Sequence, residues 1–199
     1  MIREEHFNPA FWKTIWFRSL GWLPLILFAA RFVAYLQLGQ PSQMLWICHL
    51  SNLFLAAGLF LANPVIIRLA VVLISFGIIP WIVDMWVIKI ITPVSLASHL
   101  GGLVVGLLAI SIVRAQKRSW LPALGLFILA QLLCRFATPA EFNINTAHRV
   151  YDIWKDSLDS YWLYWTLSTT VIGVTLWAIN WMLLWLFPSV QFREGKSAR

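Results

Sequence analysis

One thiol and two imidazoles lie in stretches of the chain that are otherwise apolar. Cys48 and His49 belong to Trp46-Ile-Cys-His-Leu-Ser-Asn52, and His99 ends the stretch Ser95-Leu-Ala-Ser-His99. A thiol beside a base can act as a nucleophile, and imidazoles can act as bases or as haem ligands. Polar groups inside membrane spans are costly without a partner or a function, so these stretches are the first candidates for a site.

The composition predicts an integral membrane protein. Of the 199 residues, 60% are hydrophobic and 12% are charged, whereas a soluble domain has about 25% charged residues. The apolar runs are long and continuous, which favours membrane-spanning helices over the alternating strands of a membrane barrel. The formal charge of +7 lies in short connecting segments. We therefore attribute it to topology and lipid headgroups, and expect membrane lipids as partners and no nucleic acid.

The apolar runs predict an all-α fold, in which six transmembrane helices form one bundle and one domain over residues 1–199. The spans are predicted at about 16–36, 44–62, 65–83, 93–113, 120–136 and 165–187. Residues 84–92 are expected to form an outer interfacial stretch or an extension of the third span. Gly102 and Gly106 lie on one face of the fourth span, which should pack closely against another helix.

The outer loop 138–161 is predicted to contain an amphipathic helix. Val150, Trp154, Leu158 and Tyr161 follow helical spacing, and charged residues fill the positions between them. This pattern is typical of a helix that lies on the membrane surface. We therefore expect such a surface helix immediately before the last span.

The distribution of Lys and Arg predicts the orientation. With six spans, ten of the fifteen Lys and Arg residues fall on the side of the two termini. Cytoplasmic loops carry the excess of positive charge in membrane proteins. Both termini are therefore expected in the cytoplasm, and the expected location is a bacterial inner membrane.

This topology brings the polar residues to one depth near the outer face. Cys48 and His49 lie about four residues inside the second span and His99 about six residues inside the fourth, on the order of 6–9 Å into the bilayer at ~1.5 Å per residue. Asp84, Arg31, Arg135 and the loop 141–148 are expected to close over the same region. A lipid-directed site is therefore predicted at this level.

Nucleophilic catalysis on a lipid acyl group is the first hypothesis. Cys48 would attack the acyl carbonyl, His99 would accept the thiol proton, and Asn52 or backbone N–H groups would stabilise the oxyanion. Adjacent His49 points about 100° away around the helix and is the poorer partner. Arg31 and Arg135 would hold a lipid phosphate. This chemistry requires no cofactor and no metal.

Several alternatives stay open on the residues alone. His49 and His99 could be the axial ligands of a b-type haem, with glycines making room for the macrocycle. Cys48 could be a small buried hydrophobe or form a disulfide with Cys134. No ligand spacing favours zinc or copper. The alternative class is a non-catalytic subunit, with or without haem, that packs against membrane-protein partners.

Three short motifs resemble the YwaF-like bacterial membrane proteins, which are related to transmembrane protein 164 and more distantly to the androgen-induced protein group. The motifs are Cys48-His-Leu-Ser-Asn52, His99-Leu-Gly101, and the loop with Asn143-Ile-Asn145 followed by Leu158-Asp-Ser-Tyr-Trp-Leu-Tyr-Trp165. The resemblance implies a six-span lipid acyltransferase or hydrolase, with Cys48 as the nucleophile and His99 as the histidine. In the bacterial pattern a histidine precedes the cysteine by two positions, whereas here His49 follows Cys48.

Overall fold

The structure is a computed structural model that describes residues 14–88 and 92–189. Every regular element in these two ranges is helical, which confirms the all-α prediction. The α-helices are α1 Ile15–Ser19, α2 Trp22–Gln37, α3 Ile47–Phe60, α4 Pro64–Ile88, α5 Pro93–Val113, α6 Trp120–Ala137 and α7 Tyr161–Leu186. Short 3-10 helices occur at Pro41–Leu45, Ala140–Phe142, Ile144–Thr146 and Asp152–Trp154.

Five segments of the described chain are long and apolar enough to cross a membrane. They are Ile15–Gln37, Pro64–Trp86, Pro93–Val113, Trp120–Ala137 and Tyr161–Leu186. Many large apolar side chains lie on the outside of the bundle, including Phe136 at 86% and Trp86 at 84% exposure. Lipid is the solvent in which such a surface is stable, so the fold indicates membrane integration.

Two predicted spans agree closely with the structure and three differ at an end. α5 and α6 match the expected ranges to within one residue. α4 continues to Ile88, so residues 84–88 extend the third span, while residues 89–91 lie outside the described residues. α7 begins at Tyr161 rather than at 165, because the Ser160 hydroxyl accepts a hydrogen bond from the N–H of Leu163 and caps the helix there.

α3 is shorter than the predicted second span. It comprises 14 residues, because Pro41–Leu45 forms a 3-10 helix and Trp46 is non-helical with ψ 134°. At ~1.5 Å per residue its length is about 21 Å, against a hydrocarbon core of roughly 30 Å. α3 runs antiparallel to α1 and α2: the Arg18 Nε donates to the Phe60 carbonyl at 2.8 Å at one end, and Tyr35 contacts His49 at the other.

The prediction of an amphipathic helix in the loop 138–161 is wrong. Within the described loop the only regular structure after residue 147 is the single 3-10 turn Asp152–Trp154. About ten residues are too few to form a stable isolated helix, and Asp and Ser, which are frequent here, have low helix propensity. Asp152 instead pairs locally with Lys155 and Arg149, which keeps the segment in a tight turn.

The glycine face of α5 packs closely, as its sequence predicts. A Cβ at Gly102 would collide with the side chain of Asn52 on α3, and one at Gly106 would lie 3.3 Å from Val71 on α4. Small residues allow helices in a membrane to approach to this distance. The contacts fix α5 against α3 and α4 at the level of the predicted site.

Replacing Gly102 with Ala is expected to destabilise the bundle. The added methyl group must displace Asn52, and overpacking of this kind costs about 1–3 kcal/mol, which outweighs the gain of about 1 kcal/mol in helix propensity. The matched control is Gly125→Ala on α6, where no atom lies within 4 Å of the new Cβ. Thermal unfolding in detergent should give a lower midpoint for Gly102→Ala and an equal or higher one for Gly125→Ala. Equal midpoints for the two variants would contradict the close α3–α5 contact.

Candidate functional site

A cavity of about 270 Å³ lies where α2 and α4 end and α3 and α5 begin. We call it the polar cavity, because its wall includes the polar side chains of Arg31, Tyr35, Cys48, His49, Asp84 and His99. Four of the six site residues predicted from the sequence therefore meet on one wall. Asn52 and Arg135 are not part of it.

Cys48 is the second residue of α3 and packs against α4. A Cβ at Gly77 would lie 2.9 Å from the Cys48 Cβ, so the glycine makes room for this side chain. The N–H groups of His49 and Leu50 both donate to the Trp46 carbonyl. Within the described residues no backbone carbonyl accepts from the N–H of Cys48, and this N–H lies against its own free thiol in the first turn of α3. The N-terminal end of a helix favours negative charge.

His99 is held with one ring nitrogen available. Its Nδ1 lies 2.9 Å from the Ser95 carbonyl, which can only accept, so Nδ1 carries the proton and Nε2 of the neutral ring is an acceptor. The ring stacks on Trp81 with centroids 4.7 Å apart, and the Trp81 indole N–H donates to the Ser95 hydroxyl at 3.1 Å. These contacts orient His99 as a base requires. No hydrogen bond joins the thiol of Cys48 to either histidine in the described chain.

His49 is the last of three side chains in polar contact, and the first of them is the cation Arg31. Nη2 of Arg31 donates to the Tyr35 hydroxyl at 2.9 Å, and that hydroxyl in turn faces Nε2 of His49 at 3.5 Å. The rings of His49 and His99 are 5.8 Å apart. His49 therefore lines the cavity as His99 does, and its standing as the poorer partner for Cys48 stays a prediction.

Among the wall residues, Tyr35 and Trp81 were not expected from the sequence, and Asp84 was expected at this level but was given no role. Tyr35 lies one helical turn after Arg31, and this spacing could have indicated that the two share a face. Asp84 is an acid within an apolar run, which is itself a signal of function. Trp81 gave no signal, because it resembles the other twelve tryptophans of the chain.

Asn52 connects two helices and lies outside the wall. Its Nδ2 donates to the carbonyls of Cys48 and Ser98, each at 3.3 Å, while Oδ1 is buried without a partner. Both amide hydrogens are thus engaged, which does not favour the expected role as an oxyanion donor.

Arg135 holds the outer loop rather than the cavity. Its Nη1 donates to the Ala147 carbonyl at 2.8 Å, and its guanidinium lies over the rings of Tyr161 and Trp162 at 4.6 and 5.1 Å. Arg31 and Arg135 therefore do not converge on one phosphate. Of the two, only Arg31 reaches the polar cavity.

The hypothesis that His49 and His99 are the axial ligands of a haem stays a prediction. The two rings are 5.8 Å apart at an interplanar angle of 63°, and one turn farther along both helices Asn52 contacts Gly102. A flat macrocycle would have to separate α3 and α5 where they touch.

Both cysteines carry free thiols, and Cys134 accepts a hydrogen bond from Asn145 at 3.4 Å, so the structure contains no Cys48–Cys134 disulfide.

The side chain of Asn145 fixes the start of α3. Its Oδ1 accepts from the N–H of Ile47 at 3.0 Å, and its Nδ2 donates to the Leu45 carbonyl at 2.8 Å. Asn145 has φ 52°, a left-handed conformation that Asn tolerates better than most residues. Nε2 of Gln131 on α6 donates to the Asn145 carbonyl at 3.1 Å, so the loop is fixed from both sides. This network fixes the backbone immediately before Cys48, which follows Leu45 by three residues and Ile47 by one.

The chain matches no known protein-family model, no curated protein and no solved structure. The chemistry of the polar cavity must therefore be argued from its own residues. A free thiol, a histidine with one ring nitrogen unprotonated and a guanidinium group line this cavity.

Asn145→Ala is expected to lower the free energy of unfolding by about 2–4 kcal/mol. The change leaves the Ile47 N–H without its acceptor and the Leu45 carbonyl with only the weak Cys134 thiol as donor, and each buried unsatisfied group costs about 1–3 kcal/mol. Asn145→Asp keeps the acceptor for Ile47 and should lose less. Denaturation in detergent, with alkylation of Cys48 as a local reporter, measures both effects. If Asn145→Ala were as stable as the unaltered protein, with unchanged alkylation, Asn145 would not fix the start of α3.

Proposed function

We propose that this protein is an integral membrane enzyme that transfers or hydrolyses lipid acyl groups, with Cys48 as the nucleophile. The observation that carries the proposal is the polar cavity, where a free thiol, an oriented histidine and Arg31 share one wall. The motif resemblance to the YwaF-like proteins supports the same class of activity. No similar combination of groups supports the non-catalytic alternative.

We further propose that α3 makes a sixth membrane crossing. α3 extends from the level of Tyr35 to that of Arg18, which covers most of the neighbouring candidate span Ile15–Gln37. The 3-10 segment Pro41–Leu45 adds length at the end where α3 is short. Six crossings and the excess of Lys and Arg beside the termini support cytoplasmic termini, an outer-facing cavity and a bacterial inner membrane as the location.

The reaction begins with addition of the Cys48 sulfur to the carbonyl carbon of a lipid ester. The thiol proton passes to Nε2 of His99, and the N–H of Cys48 donates to the oxyanion of the tetrahedral intermediate. The carbonyl then re-forms, the C–O bond of the ester breaks, and the leaving alcohol takes the proton from His99. The acyl group remains on Cys48 as a thioester. Catalytic contacts that are long without substrate commonly tighten in the complex, which is how Cys48 and His99 would come within reach.

The second half of the reaction releases the acyl group. Water or the hydroxyl group of a second lipid attacks the thioester carbonyl and gives its proton to His99. The C–S bond breaks, and the sulfur recovers the proton from His99. Water as the acceptor makes the protein a hydrolase, and a lipid hydroxyl makes it an acyltransferase. The wall is consistent with both.

Trapping the thioester tests the proposal directly. The purified protein is incubated with phospholipid vesicles carrying ester-linked acyl chains, and intact mass is measured before and after neutral hydroxylamine, which cleaves thioesters. We expect one acyl adduct that hydroxylamine removes. The adduct should be absent from Cys48→Ala and retained in the matched control Cys134→Ala, because Cys134 lies outside the polar cavity. Lack of an adduct, or an adduct retained in Cys48→Ala, would refute the nucleophile.

His99→Gln should slow formation of the adduct by about 100-fold or more, in line with the loss of a general base. His49→Gln should have a smaller effect, because the Tyr35 hydroxyl already faces Nε2 of His49. The measurement is the rate of adduct formation against pH, with the thermal midpoint of each variant as a check on folding. A folded His99→Gln variant that reacts at the normal rate would contradict the role of His99. A Soret band in the purified protein would instead favour the haem alternative.

A further inference from the structure

Two opposite charges on the wall of the polar cavity do not neutralise each other. Nη2 of Arg31 donates to Tyr35, Nη1 approaches the Thr92 hydroxyl at 3.5 Å, and Nε is buried without a partner. Asp84 lies on α4 within a candidate span, and in the part of the chain that the structure describes its carboxylate has no ion pair or hydrogen bond. An unpaired charge in a membrane span is costly. We therefore expect a bound group of opposite charge beside Arg31 and another beside Asp84.

The surroundings of Asp84 are suited to an ammonium group. Phe76, Pro80, Trp81 and Asp84 line the cavity from one face of α4, as their spacing along the helix requires. Pro80 has no N–H, so the carbonyl of Phe76 one turn earlier receives no helical hydrogen bond from it. A carboxylate beside aromatic side chains is the kind of surrounding that attracts an ammonium ion.

Arg31 provides the complementary anion site. Its guanidinium lies 4.6 Å from the centroid of the Tyr35 ring, which fixes the plane of the group. Guanidinium N–H groups bind phosphate and carboxylate oxygens in pairs, and the free Nε–H is one such donor. The anion and ammonium sites thus share one wall with Cys48.

We propose that the polar cavity binds a zwitterionic group, with its anion at Arg31 and its ammonium at Asp84. This inference rests on the proposed function and names its substrate class. A volume of about 270 Å³ is just below that of drug-sized pockets, roughly 300–1,000 Å³, so the cavity accepts a headgroup but not a whole lipid. The same chemistry is present in a zwitterionic phospholipid headgroup and in a small soluble zwitterion.

Binding of three related soluble probes separates the two charges. Phosphoethanolamine carries both charges, ethyl phosphate only the anion and ethylammonium only the cation. Titration calorimetry on the detergent-purified full chain should give at least ten-fold tighter binding for phosphoethanolamine than for either single-charge probe. Equal affinity for phosphoethanolamine and ethyl phosphate would overturn the proposal.

Two variants assign the charges to residues. Arg31→Gln should weaken both phosphate probes by ten-fold or more, and Arg31→Lys should restore part of the affinity. Asp84→Asn should remove the advantage of phosphoethanolamine and leave ethyl phosphate unchanged. Asp156→Asn, in the exposed loop, is the matched control and should bind all probes normally. If Asp84→Asn kept the preference for phosphoethanolamine, the ammonium site would not be at Asp84.

A competition experiment identifies the source of the zwitterion. Nanodiscs of phosphatidylethanolamine that displace phosphoethanolamine better than nanodiscs of phosphatidylglycerol support a lipid headgroup, and equal displacement by the two supports a soluble zwitterion. All titrations are repeated with Cys48→Ala, which binds without reacting. If the unaltered protein binds phosphoethanolamine preferentially but forms no thioester adduct, the proposed reaction is refuted and the zwitterion site is not. A thioester adduct without zwitterion preference would refute this inference alone.

Discussion

The hydrogen bonds of Asn145 to the start of α3 are the contact on which the site depends. A helix that begins inside a membrane bundle leaves N–H groups that water cannot satisfy there, so protein groups must do so. Asn145 satisfies the Ile47 N–H and, through its other amide atom, the Leu45 carbonyl. The outer loop therefore descends into the bundle instead of lying on its surface.

The same requirement explains why the loop is irregular. Asn143, Asn145 and Thr146 all have positive φ, which a continuous helix would not permit. Oδ1 of Asn143 accepts from the N–H groups of His148 and Arg149, and Gln131 donates to Thr146. A β-branched residue at positive φ is strained and persists only when its surroundings enforce it. The strained conformation persists because a relaxed loop would leave backbone N–H and C=O groups inside the bundle without hydrogen-bond partners.

Sequence periodicity predicted the parts of the fold that depend on apolar length, and it failed where polar contacts decide. The spans at α5 and α6 follow directly from their apolar runs. The surface helix was expected from the spacing of Val150 and Trp154, but such spacing cannot report that the loop nearby is bonded to α3 through Asn145. For the site, depth along the spans was enough to group Cys48, His49 and His99. Side-chain direction is not encoded in depth, so the spans could not indicate that Asn52 faces Gly102 or that Arg135 faces Tyr161.

The cavity itself follows from two residues of α4 that carry no obvious chemistry. Space inside a membrane bundle arises where small residues or interrupted helices prevent side chains from filling the gap. Gly77 lets Cys48 pack beside α4, and Pro80 interrupts the hydrogen-bond ladder of the same helix. One turn beyond Pro80 comes Asp84, an acid that would be expensive against packed apolar neighbours but is tolerable beside open polar space. Asp84 thus lies one turn beyond the interruption at Pro80, while Gly77 makes room for the thiol.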